Sequence, residues 1–127
     1  MSDEISMEVR DGILCVTVVG SYQMRRAQDW IGRTAESLTE HRCDRLLMDL
    51  RKVEGVVSVI DRFRLGEHAA AAFAGKVFLA LWVSPEELDL DRFMETVAST
   101  RGLSAKVFMD GDAARSWLQS HSRKGES

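Results

Sequence analysis

The chain has 127 residues, 45% apolar and 29% charged, with a formal net charge of −3. That length suits one core and leaves no room for a second, and the composition is globular rather than disordered. The slight negative charge excludes the broad basic field that draws nucleic acid or anionic membranes.

Ile5 to Arg10 alternates polar and apolar residues, and Ile13 to Gly20 is rich in Val, Ile, Leu and Thr. Asp11-Gly12 between them is a favoured pair for a two-residue type I′ turn, so the chain is expected to open with a β-hairpin. Met24, Ala27, Ile31, Ala35 and Leu38 then trace one apolar stripe, which predicts a helix over Gln23 to His41 with Trp30 half-buried at its edge. Arg45 to Leu50 reads as a strand, followed by a loop from Arg51 to Val57. Ser58-Val59-Ile60-Asp61 has the Ser-x-x-acid form of a helix N-cap. The helix it opens should run to about Ala74, with Val59, Phe63, Gly66, Ala70 and Phe73 inward and Gly66 allowing a close approach to a sheet.

Lys76 to Val83 is a continuous apolar run of the kind that forms a central parallel strand covered on both faces. Ser84-Pro85-Glu86-Glu87 supplies a cap, a first-turn proline and acids for the next helix. That helix, about Leu90 to Arg101, should bury Leu90, Phe93, Val97 and Ala98 and end at Gly102. Ala105 to Met109 reads as the last strand, and Asp110-Gly111-Asp112 leads into a short helix over Ala113 to Ser120 with Ala114, Trp117 and Leu118 inward. The order ββαβαβαβα predicts an α/β fold: a mixed, mainly parallel five-stranded sheet with helices packed on it. One domain over residues 1–121 and a frayed tail over 122–127 are expected.

Met1 to Ile5 lacks the layout of a signal peptide, and no apolar run is long enough to span a bilayer. A cytoplasmic protein with no integral membrane segment and no nucleic-acid partner is therefore expected. Cys15 and Cys43 have neither CxxC nor zinc-ligand spacing and are expected to be reduced and structural. His41, His68 and His121 are dispersed, and neither a glycine-rich phosphate loop nor a nucleophile elbow occurs. No catalytic residue, metal site or cofactor is assigned, and the chain reads as a binding module rather than an enzyme. Homodimers are the commonest oligomers of small proteins, so self-association is carried as an expectation, with no face assigned to it.

Ligands of open α/β sheets gather at the carboxyl ends of the parallel strands. The loop there that stands out is Lys52-Val53-Glu54-Gly55-Val56-Val57, with three valines where solvated residues are usual. They either fold back onto the core or face a partner. Ser58 follows at a helix N-terminus, suited to a plain N-cap, a bound anion or a phosphorylated serine. The candidate site is Arg51, Val53, Val56, Val57, Ser58 and Arg62, facing a protein partner or a small apolar or anionic ligand.

Several pieces together resemble the SpoIIAA-like proteins, a bacterial branch of the STAS domains also compared with CRAL-TRIO lipid-transfer domains. They are Met48-Asp49-Leu50 ending a strand, Asp61-Arg62-Phe63 with Gly66, Phe93 with Val97-Ala98, Arg101-Gly102, Val107-Phe108-Met109-Asp110, and Ala114 with Trp117-Leu118. The resemblance implies a compact mixed sheet with packed helices and a regulatory role in protein association or apolar-ligand binding. It offers two alternatives: a lipid or fatty-acid carrier, or a phosphoswitch of the anti-sigma-antagonist kind with Ser58 at or beside the phosphorylated position.

Overall fold

A computed structural model describes residues 4–73 and 77–121, so the tail expected to fray and the ends of two expected elements at Ala74 and Lys76 lie outside the described residues. The order is β1 (Glu4–Arg10), β2 (Ile13–Ser21), α1 (Met24–His41), β3 (Arg45–Glu54), α2 (Val59–Phe73), β4 (Phe78–Trp82), a 3₁₀ turn at Pro85–Glu87, α3 (Leu88–Thr100), β5 (Ser104–Phe108) and α4 (Gly111–Gln119). The five strands lie in sequence order, with β1 antiparallel to β2 and the other neighbours parallel. Asp11 and Gly12 both have positive φ, as the type I′ turn requires, and Arg10 stands opposite Ile13.

Alternation along each strand sends side chains to two unequal cores. Leu14, Val16, Val18, Leu46, Met48, Leu79, Leu81, Ala105 and Val107 pack with residues of α1, α2 and α3 on one face. Ile13, Leu47 and Ala80 pack with Ala114 and Leu118 of α4 on the other, flanked by Phe78, Trp82, Phe108 and Trp117. β4 is thus covered on both faces, which explains its unbroken apolar run.

The structure corrects several expectations. β3 does not stop at Leu50 but runs to Glu54, because the 52–54 stretch keeps pairing with β2 beyond an irregularity between Thr17 and Val19. Trp30 is core rather than edge, since α2 packs beside α1 and closes over it. On α2 the buried stripe is Arg62, Leu65, Gly66, Ala69, Ala70 and Phe73, leaving Val59 and Phe63 exposed. On α3 it is Asp91, Val97 and Ala98, with Leu90 and Phe93 exposed. Gly66 serves helix packing rather than sheet packing: a Cβ there would lie 3.0 Å from the Met94 carbonyl oxygen and from Val97 of α3. Cys15 and Cys43 are half-buried and form no disulfide.

Candidate functional site

The carboxyl end of β3 and the first turns of α2 and α3 meet at one rim of the sheet. The Tyr22 amide donates to the Glu54 carbonyl at 2.7 Å, holding the strand end against the start of α1. Gly55, at φ +109°, then turns the chain outward, in a conformation that side chains resist. Val56 beyond it is 90% exposed, whereas Val53 and Val57 fold back against the core. Ser58 is exposed, and its hydroxyl accepts from the Asp61 amide at 3.1 Å, which makes it the helix N-cap.

Arg62 is only 3% exposed, and three partners share its guanidinium. Nε donates to the Val57 carbonyl at 3.2 Å, Nη2 to Glu87 Oε1 at 2.6 Å, and Nη1 to Asp91. One buried arginine therefore ties the 55–58 turn to the start of α3. Burial pushes the Asp91 carboxyl up to about 6; Arg62 pulls against this and Glu87 adds to it. Tyr22 donates to Asp61 Oδ2 at 2.9 Å, and burial together with that carboxylate pushes its phenol up to about 12.

Behind this clamp lies a cavity of about 130 Å³ between the sheet and α1–α3. Its walls are mostly apolar, Trp30, Ile31, Leu65 and Leu81 among them, and Val53 and Val57 stand in its lining. The polar part of the lining includes Glu87 of the 3₁₀ turn, Asp91 and Glu95 of α3 and the single guanidinium of Arg62. Outside, Val59, Ile60 and Phe63 share one outward face of α2 through the 59/63 and 60/63 spacings, and Val56 is exposed in the turn that precedes the helix. Val59 is 53% exposed, Ile60 61% and Phe63 38%. Leu90 and Phe93 are exposed on neighbouring α3, and the Arg101 guanidinium lies 5.3 Å from the Phe63 ring centroid.

The six expected site residues thus divide. Val53, Val57 and Arg62 line the cavity, and Val56 and Ser58 face outward beside them. Arg51 stands apart, on the α4 side of the sheet, stacked 3.5 Å from the centroid of Trp82 and paired with Asp49 at 2.9 and 2.8 Å. The expectation passed over Tyr22, Glu87 and Asp91, and it assigned Val59 and Phe63 to the core. An arginine on the buried register of α2, with acids spaced at 87 and 91, was the available signal. Glu87 does lie in the first turn of the 3₁₀ segment, and its carboxylate also accepts from Arg62, whereas Asp110 is the N-cap of α4 and accepts from the Asp112 amide. Among the described residues, no group of His, Cys, Asp and Glu could hold a metal, and no helix is long and apolar enough to cross a membrane.

No family model and no curated protein matches the chain in sequence. Solved structures do match it in shape. An anti-sigma factor antagonist from Mycobacterium paratuberculosis aligns with a TM-score of 0.65 at 19% identity, over 93% of this chain and 95% of that one. An uncharacterised protein of the DUF3478 family with a SpoIIAA-like fold, from Shewanella loihica PV-4, aligns with a TM-score of 0.54 at 18% identity, over 91% and 93%. The chain has the SpoIIAA-like fold expected from its sequence.

Proposed function

We propose that this SpoIIAA-like chain is a non-enzymatic regulatory module that binds a protein partner through the outer face of the 55–58 turn and α2. The observation that carries the reading is the set Val56, Val59, Ile60 and Phe63, four exposed apolar side chains on the 55–58 turn and the first turns of α2, a helix whose other side is well packed. Such a patch loses little by exposure singly but gains on burial against a partner. The likeness to an anti-sigma factor antagonist supports a protein as that partner. Ser58 borders the patch, so a phosphate there would bring about −2 charge to an apolar contact and release it. The experiment compares capture of identified partners by the wild type and by a Val56→Asp/Ile60→Asp variant of equal thermal stability. Loss of the partners supports the reading, and undiminished capture refutes it.

The cavity favours a second reading, a small apolar ligand. Its volume is close to the roughly 150 Å³ of a protein cavity that accepts benzene, too small for a long acyl chain. Three carboxylates against one guanidinium also suit a neutral ligand better than a fatty acid. Native mass spectrometry with added benzene-sized neutral molecules and with a fatty acid tests this. Retention of the fatty acid alone would reject the neutral ligand.

A further inference from the structure

The cavity behind the clamp has one polar wall. Glu87, Asp91 and Glu95 follow one another at steps of four along the 3₁₀ turn and α3, so all three carboxyls reach the same lining. Each has one oxygen engaged. Glu87 Oε1 and Asp91 Oδ1 accept from Arg62, and Glu95 Oε1 accepts from the Val107 amide at 2.8 Å. Among the described residues no hydrogen bond reaches the second oxygen of any of the three. Donors are already committed: every guanidinium nitrogen of Arg62 has an acceptor, and the Tyr22 hydroxyl donates to Asp61. The wall therefore offers a ligand acceptors, on a lining whose formal charges are three negative and one positive.

We propose that the cavity is a binding site for a small organic amine, with its apolar body against Trp30, Leu65 and Leu81 and its ammonium at Asp91; this rests on the small-ligand reading of the cavity and names the polar group of that ligand. An ammonium carries three donors and no acceptor, which complements a wall of free carboxylate oxygens. A hydrocarbon leaves those oxygens unmet, and a carboxylate would add a like charge to them. The volume of about 130 Å³ limits the body to about the size of a benzene ring.

Asp91 is the anchor because it is the deepest of the three, 7% exposed, while Glu87 and Glu95 are half-buried. Charged groups in the lining around it are Arg62 from α2, Glu87 from the 3₁₀ turn and Glu95 on its own helix; α1, β3, β4 and β5 contribute only uncharged residues. Burial holds the Asp91 carboxyl at about 6, with Arg62 opposing and Glu87 adding to the rise, so one guanidinium does not compensate the acids that surround it. A cation beside Asp91 favours its ionised form, and the amine therefore competes with a proton. Affinity for the amine rises as pH rises through that window. A hydrocarbon of the same shape has no such dependence.

The experiment titrates the full chain with benzylamine, with the isosteric ethylbenzene and with methylammonium, followed by the NMR shifts of methionine methyl groups. Met48 and Met94 line the cavity, whereas Met109 is exposed elsewhere. Benzylamine should shift Met48 and Met94 but not Met109, and at neutral pH it should bind at least about tenfold more tightly than ethylbenzene. Lowering the pH to about one unit below the Asp91 midpoint should weaken benzylamine by up to about tenfold and leave ethylbenzene unchanged. Asp91→Asn should bring the ratio of the two affinities toward one. Ethylbenzene binding as tightly as benzylamine, a pH-independent ratio, or methylammonium binding as well as benzylamine overturns the amine and leaves the small-ligand reading standing. Failure of both benzylamine and ethylbenzene to shift Met48 and Met94 overturns the two together.

Discussion

Replacing Asp91 by Asn should abolish a pH dependence of stability that the buried clamp creates. In the folded chain burial raises Asp91 to about 6, with Glu87 adding to the rise and Arg62 opposing it. In the unfolded chain an aspartate titrates near ~3.9. Between those values the folded state holds the proton more firmly, so unfolding releases it, and stability falls as pH rises through the window. A difference of roughly two units amounts to about 3 kcal/mol, lost in full by neutral pH. Asp49 is pushed up by burial but pulled down further by Arg51, and it ends below its ordinary value. Its contribution is lost as pH falls and lies below the Asp91 window. The assay is urea unfolding of both proteins at intervals across the window and up to neutral pH, with the difference in slope as the readout. Asn also removes a charge from beside Arg62, so the absolute stability of the variant mixes two effects that the slope separates. Equal slopes in the two proteins, or a wild type that gains on the variant as pH rises, would refute the reasoning.

Gly111→Ala should cost about 1–3 kcal/mol in chemical denaturation, because its Cβ would sit 2.5 to 2.9 Å from the Trp82 indole, which Arg51 holds from another side. Unchanged stability would mean that Trp82 moves freely. Val56→Asp should leave the unfolding free energy within about 0.5 kcal/mol of wild type, whereas Val57→Asp places a charge against the core and should cost more than about 2 kcal/mol, both read by thermal unfolding. Similar melts for the two would erase the distinction between outer face and cavity wall. Ser58→Ala should cost about 1 kcal/mol through the lost cap, and Ser58→Asp should keep most of it, both read by thermal unfolding.

Much of the fold was legible in the sequence because it rests on local physics. Asp11-Gly12 specifies its turn through the φ angles it tolerates, and the apolar run at 77–83 specifies a strand wet on neither face. Helical spacing located α1 to within a residue of its start. The candidate site was legible only in part: Ser58 and Val56 behave as their positions suggested, whereas Arg51 went to the other face of the sheet.

The remainder depended on neighbours distant in sequence. Val59 and Phe63 have the same apolar character as Leu65 and Phe73, and periodicity alone cannot say which of two adjoining stripes a helix buries. That choice fell to the 3₁₀ turn and α3, whose Glu87 and Asp91 make it tolerable to bury Arg62 and so rotate the apolar residues of the first turns outward. Turn chemistry and residue spacing determined which elements form and in what order. Tertiary packing decided which faces remain open, because the cost of burying a charge is set by the partner that meets it and not by the segment that carries it.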